Sequence, residues 1–177
     1  AYTLLSVAGV YGNGGDKPQS VATYNRARDI FVSNFDDYRY EVERCVSGLL
    51  RECAGMGDQD GAMTWSDDII RIRFGVANKD ERDGLKKRLE LNVQQLARAG
   101  VSITPHDLLK RAIERADLMT PPQHPRRART LANLARAAED MGVGDLASSL
   151  CERARDALAY SGSRDDDEAV LSQTPCT

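Results

Sequence analysis

The chain has 177 residues, a formal net charge of −3, and 41% hydrophobic but only 6% aromatic residues. That length is enough for one domain with a real core, and the charge excludes an overall basic footprint for nucleic acid. No apolar run approaches the roughly 18 residues of a membrane span, so no membrane insertion is expected.

The start, Ala1-Tyr2-Thr3-Leu4-Leu5, has no basic segment before its apolar one and does not read as an intact signal peptide. It also lacks an initiator Met, and reads as processed or cut from something longer. Ala, Leu and Arg are abundant while β-branched and aromatic residues are scarce, which favours helices. The first element places Leu4, Val7, Ala8 and Tyr11 on one helical face. A second, with Ser20, Tyr24 and Ala27, follows a Gly-Asn-Gly-Gly-Asp-Lys-Pro stretch. A phosphate-gripping loop would follow a strand and carry Gly-Lys-Ser/Thr. Here the preceding segment is helical and Asp16-Lys17-Pro18 follows, so the stretch reads as the corner between two helices. Gly adopts positive φ past a helix end and Asp caps the next helix.

This unit recurs. "NRARDIF" (Asn25–Phe31) lies above "ERARDAL" (Glu152–Leu158) at an offset of 127. The same offset carries Leu4 to Leu131, Ala8 to Ala135 and Gly15 to Gly142. A shift of 42 brings Val46, Leu49, Leu50, Cys53, Gly57 and Asp58 under Leu4, Val7, Ala8, Tyr11, Gly15 and Asp16. A shift of 89 brings Val93, Leu96, Ala97, Leu109, Ile113 and Ala116 under Leu4, Val7, Ala8, Ser20, Tyr24 and Ala27. In this third unit Thr104-Pro105 replaces the Gly-Asp corner, and Arg73–Gly84 is expected to hold extra residues as a loop. Ala8, Ala97 and Ala135, with Ala27, Ala116 and Ala154, let paired helices approach closely. One hairpin cannot bury its apolar face alone, so hairpins are expected to stack. The units fall at about 2–35, 37–75, 83–120 and 125–160.

Read as Leu4-x2-Val7-Ala8-x2-Tyr11 then Ser20-x3-Tyr24-x2-Ala27, with Pro121 in the late-proline slot of the third unit, the pattern resembles tetratricopeptide repeats. The 42-residue step is similar to the long-period variety of kinesin light chains. The resemblance implies an all-α fold: an α-solenoid of about four stacked antiparallel hairpins over residues 1–160, a TPR-like superhelix. Opening inside a first helix, the stretch would follow a capping repeat. Residues 161–177 carry an acidic run without apolar periodicity and read as a disordered tail.

The resemblance also implies that the first helices line a concave groove that binds a peptide or partner protein. One outward slot holds Gly9, Arg51, Arg98 and Arg136; another holds Tyr2, Arg44, Leu91 and Arg129. The candidate partner-binding residues are Arg44, Arg51, Gln94, Arg98, Arg129, Asn133 and Arg136. Arg suits an acidic side chain or terminal carboxylate because its guanidinium makes two parallel bonds to one carboxylate. The competing reading is that solvent-facing helix positions often carry Arg. The chaperone-type carboxylate clamp needs a Lys and two Asn in set slots, and the chain offers Ser6, Gly48, Gln95 and Asn133 at the asparagine-type slot, so chaperone binding is not expected. "PPQHPRRAR" (Pro121–Arg129) reads as a solvated connector, or as a contact for phosphate or an acidic partner.

"TWSDDIIRIRF" (Thr64–Phe74) alternates like a strand, but the repeat register makes it a helix with Trp65, Ile69 and Ile72 inward. Asp67 and Asp68 are sequence neighbours and do not share a helix face, so they suggest capping or solvent. His106 has no visible Cys or Ser partner for catalysis. Four cysteines, Cys45, Cys53, Cys151 and Cys176, form no C-x-x-C pair, and a zinc site is not expected. The first three sit among apolar neighbours and read as buried reduced thiols. That favours a reducing compartment, the cytoplasm or an organelle stroma. No cofactor and no catalytic residue are expected. The leading expectation is a non-enzymatic adaptor or assembly scaffold; a structural subunit of a large complex, or the sensor repeats of a longer signalling protein, are the alternatives.

Overall fold

A computed structural model of the chain describes residues 1–33, 35–74, 84–120 and 127–161. The expected acidic tail, most of the Arg73–Gly84 loop and the connector up to Arg126 lie outside the described residues. Eight helices are described: α1 Tyr2–Asn13, α2 Lys17–Val32, α3 Phe35–Met56, α4 Gln59–Phe74, α5 Leu85–Arg98, α6 Pro105–Met119, α7 Arg127–Asp140 and α8 Gly144–Ser161. No strand occurs among the described residues. Thr64–Phe74 lies in α4, so its strand alternative falls. Ile69 and Ile72 are buried there and Trp65 is half-buried.

One corner geometry recurs four times. Gly15, Gly57, Gly100 and Gly142 are the described residues with positive φ, between +72° and +86°. Each ends a first helix in the same way. The corner glycine N–H donates three residues back, to Gly12, Ala54, Ala97 and Glu139. The next N–H donates five back, to Tyr11, Cys53, Leu96 and Ala138, at 2.9–3.0 Å. That pair of bonds closes the carbonyls a helix end leaves open, and the left-handed residue it needs is cheapest as glycine.

The corners stand 42, 43 and 42 residues apart. This corrects the third repeat. Its first helix matches the first unit at an offset of 85, not 89, so Leu89, Asn92, Val93 and Leu96 fall under Leu4, Val7, Ala8 and Tyr11. Gly100 supplies a corner that the sequence reading gave to Thr104-Pro105. Thr104 is instead the N-cap of α6, accepting from the Asp107 N–H at 3.1 Å, with Pro105 following it. The extra residues are Val101, Ser102 and Ile103, inside the corner.

The chain divides into two compact units. The first comprises Ala1–Ile72 with Leu91–Ile103. Here α1 packs on α2, α2 on α3, and α1 touches α3. Ala8 and Ala27 are wholly buried where helices meet, as their small size requires, and Cys45, Val46, Leu49, Leu50, Ile69 and Leu96 extend the core. Asn92 is buried and donates to the Ser66 carbonyl and hydroxyl, tying α5 to α4. Lys17 donates to the Gly55 carbonyl at the C-terminal end of α3, where a cation also meets the negative end of the helix dipole.

The second unit comprises Arg73–Glu90 with Thr104–Thr177. There α7 and α8 pack together and α6 packs on α7, over Leu108, Leu109, Leu131, Leu134, Ala135, Leu150 and Ala154. Arg127 pairs with Asp117 at 2.9 Å, and Arg153 bonds the same carboxylate, so Asp117 joins α6, α7 and α8. The described end of the arginine-rich connector is therefore an internal tie.

Cys45 and Cys53 are free and buried. Burial pushes both thiols up to about 11, helped at Cys53 by the neighbouring Asp58. Cys151 is also buried but is disulfide-bonded, which overturns its reading as a reduced thiol.

Candidate functional site

Of the seven expected groove residues, Arg44, Arg51, Gln94 and Arg98 belong to the first unit, and Arg129, Asn133 and Arg136 to the second. Arg44 and Arg51 are seven residues apart on α3, two turns along one face, and both are exposed. The Arg44 guanidinium lies 5.9 Å from the centroid of the exposed Tyr40 ring. Gln94 and Arg98 are exposed one turn apart on α5, and Arg98 donates to the Gln95 amide oxygen at 3.3 Å.

Arg51 does more than face solvent. Its Nε and Nη2 donate to Glu52 Oε1 at 3.0 and 2.7 Å, and Nη2 also donates to the Tyr24 hydroxyl at 3.2 Å. Partial burial works against its charge, but the bonds to Glu52 and Tyr24 outweigh that and raise its pKa. The Glu52 side chain is only 5% exposed. Its carboxylate sits where a side chain on Gly12 would go, close to Ser20. The Ser20 hydroxyl in turn donates to the Ala8 carbonyl at 2.8 Å. The Tyr24 ring rests on Gly48, where a Cβ would approach within 2.7 Å of Tyr24 Cε1. These groups form a polar seam between α3 and the α1–α2 hairpin.

The seam explains a correction in the second unit. Asn133 is 0% exposed and is not a groove residue. In the corner register it occupies the Gly48 slot, and in α3 that slot faces α2 rather than water. Arg129 and Arg136 are half-buried. The same register dissolves the row Arg51, Arg98, Arg136: the slot of Arg51 and Arg136 holds Gln94 in α5, and Arg98 falls one turn further on. It also supplies a residue the sequence reading missed. Lys87, exposed on α5, takes the place given to Leu91, so the slot reads Tyr2, Arg44, Lys87, Arg129. An error of four residues is close to one helical turn and leaves the apolar face unchanged. Gly100 was the signal that could have fixed the register.

At the Tyr2 position of that slot, the phenol donates to Glu41 at 3.0 Å, and this bond raises its pKa. Tyr2 also meets Phe31 and Tyr38 at centroid distances of 5.2 and 6.5 Å. Among the described residues, no group of three or more His, Cys, Asp or Glu is placed to hold a metal ion. No helix of the structure is long and apolar enough to cross a membrane. In comparisons with known proteins, no family model, no curated protein and no solved structure matches this chain.

Proposed function

We propose that the chain is a non-enzymatic protein-binding module. Its four helix pairs form a tetratricopeptide-type α-solenoid that holds an acidic peptide or partner segment against basic slots of its first helices. The observation that carries this reading is the register: slots 42 or 43 residues apart hold Arg44, Lys87 and Arg129, with Arg51 and Arg136 one slot on. The exposure of Arg44, Lys87, Gln94 and Arg98 supports it. Arg51 contributes a guanidinium already oriented by Glu52, so less entropy is lost when a partner carboxylate meets it. Such a site works by charge complementarity and weakens with salt.

A labelled ten-residue glutamate peptide, with a serine-glycine peptide as control, tests this by fluorescence anisotropy. Arg44→Glu with Arg98→Glu is the informative variant, because both side chains are exposed and Arg51 also holds the seam. The expected result is binding of the acidic peptide only, weakened at least about tenfold by the double reversal. Equal binding by parent and variant, with unchanged circular dichroism, rules the proposal out.

One observation favours a second reading, a structural subunit within a larger assembly: Arg51 is engaged internally and Asn133 is buried. A stoichiometric complex that survives the Arg44→Glu, Arg98→Glu change would favour it.

A further inference from the structure

Gly12 and Gly48 are glycines because the Glu52 carboxylate and the Tyr24 ring occupy the space of a Cβ. Gly9, inside α1, has no such reason. A Cβ there would meet the Tyr24 hydroxyl oxygen alone, at an ordinary 3.7 Å. Glycine inside a helix costs stability relative to alanine, so packing by itself favours a side chain at position 9. In the corner register that slot holds Arg51 in α3, Gln94 in α5 and Arg136 in α7, all long side chains. In α1 it is bare and half-buried.

The bare slot leaves room beside two donors. The Tyr24 oxygen accepts from Arg51 Nη2 at 3.2 Å, but the Tyr24 proton meets no acceptor among the described residues. Glu52 takes one edge of the Arg51 fork, through Nε and Nη2. Nη1, at the other edge, likewise meets no acceptor among the described residues. Tyr24 is 6% exposed and its ring is packed on Gly48, so its hydroxyl is held in place. A carboxylate has two acceptor oxygens and can take both donors at once, one oxygen from Nη1 and the other from the Tyr24 O–H. It then lies on the opposite edge of the guanidinium from Glu52, and the cation separates the two negative charges.

We propose that Gly9, Tyr24 and Arg51 form a notch for one carboxylate of the bound segment, with Gly9 as its opening and the Tyr24 hydroxyl as a donor. This rests on the peptide-binding reading above. It adds a site between α1, α2 and α3 that selects a carboxylate by hydrogen-bond geometry as well as by charge.

The test offers the full chain the labelled ten-residue glutamate peptide in two forms, with a free and with an amidated C-terminus. Tyr24→Phe keeps the ring on Gly48 and removes the donor. Gly9→Leu leaves the Tyr24–Arg51 bond in place and fills the notch. Each is expected to weaken binding on the order of tenfold, the worth of a hydrogen bond to a charged group, with circular dichroism unchanged. The double variant should lose no more than the larger single loss, because both changes act at one place. Equal losses for the two peptide forms make the occupant a glutamate side chain; a loss confined to the free form makes it the terminal carboxylate. Parent affinity in either single variant overturns the proposal, and so do two losses that add in full. If Arg44→Glu with Arg98→Glu weakens binding while Tyr24→Phe does not, the notch alone falls. A parent that does not bind the peptide removes the notch and the peptide-binding reading together.

Discussion

At the residue scale, the seam around Tyr24 ties α3 to the first hairpin. Gly48 is there because the Tyr24 ring leaves no room for a Cβ. Gly48→Ala is expected to cost about 1–3 kcal/mol in urea unfolding, the usual penalty for overpacking a closed contact. The same change at Gly15 would report backbone strain alone, because a Cβ there meets nothing within 4 Å. The buried thiols make a second expectation. With Cys45 and Cys53 held near pKa 11, the folded protein should react with iodoacetamide at neither residue at pH 7.5, and at both after unfolding. Alkylation of either in the folded state would contradict their burial.

Asp107 supplies the pH dependence. The Thr104 hydroxyl donates to its carboxylate, and that bond holds its pKa below the ordinary 3.8. A depressed folded pKa means that the stabilisation is present above the unfolded value and fades as pH falls through the folded one. An NMR titration should therefore place the Asp107 midpoint below 3.8 and return it toward that value in Thr104→Ala.

At the element scale, Thr104→Ala should also cost about 1 kcal/mol of stability, the usual worth of an N-cap. Helix identity was legible because Leu, Ala and Cys recur at three- and four-residue spacing, and the register rightly outweighed the strand-like Ile70-Arg71-Ile72-Arg73 stretch. Three of the four corners were legible from glycine. The third was not, because Val101, Ser102 and Ile103 separate its glycine from its cap, and alignment followed the cap. What followed from that slip was chemical: Arg98 was placed in a row that Gln94 occupies, and Lys87 went unseen. Asn133 misled for another reason. The repeat placed it in the slot of Gly48, but not that this slot is closed to water. Arg51 was legible as an outward-facing arginine but not as a partner of Tyr24, since the contact joins residues 27 positions apart.

At the scale of the whole molecule, helix pairs repeat along the chain, and each compact unit closes its own core. In the first unit the ties are Arg51–Glu52–Tyr24, Asn92–Ser66 and Lys17–Gly55. In the second they are Asp117 with Arg127 and Arg153, and Lys86, which donates to the Asp140 carbonyl at the end of α7. Each tie links a helix to the pair before or after it within its own unit. Basic side chains serve in four of these five ties. The arginine content of the chain is therefore partly structural, while Arg44, Lys87 and Arg98 are exposed.

Every slot assignment depends on Gly100 being a left-handed helix end like Gly15, Gly57 and Gly142. The most direct test is the unfolding free energy of Gly100→Ala set beside that of Gly144→Ala, whose position is right-handed and open. The predicted result is a loss of about 1–2 kcal/mol at position 100 and no loss at 144. Equal stability of the two variants would mean that α5 ends elsewhere, and the 42–43-residue register would fail with it.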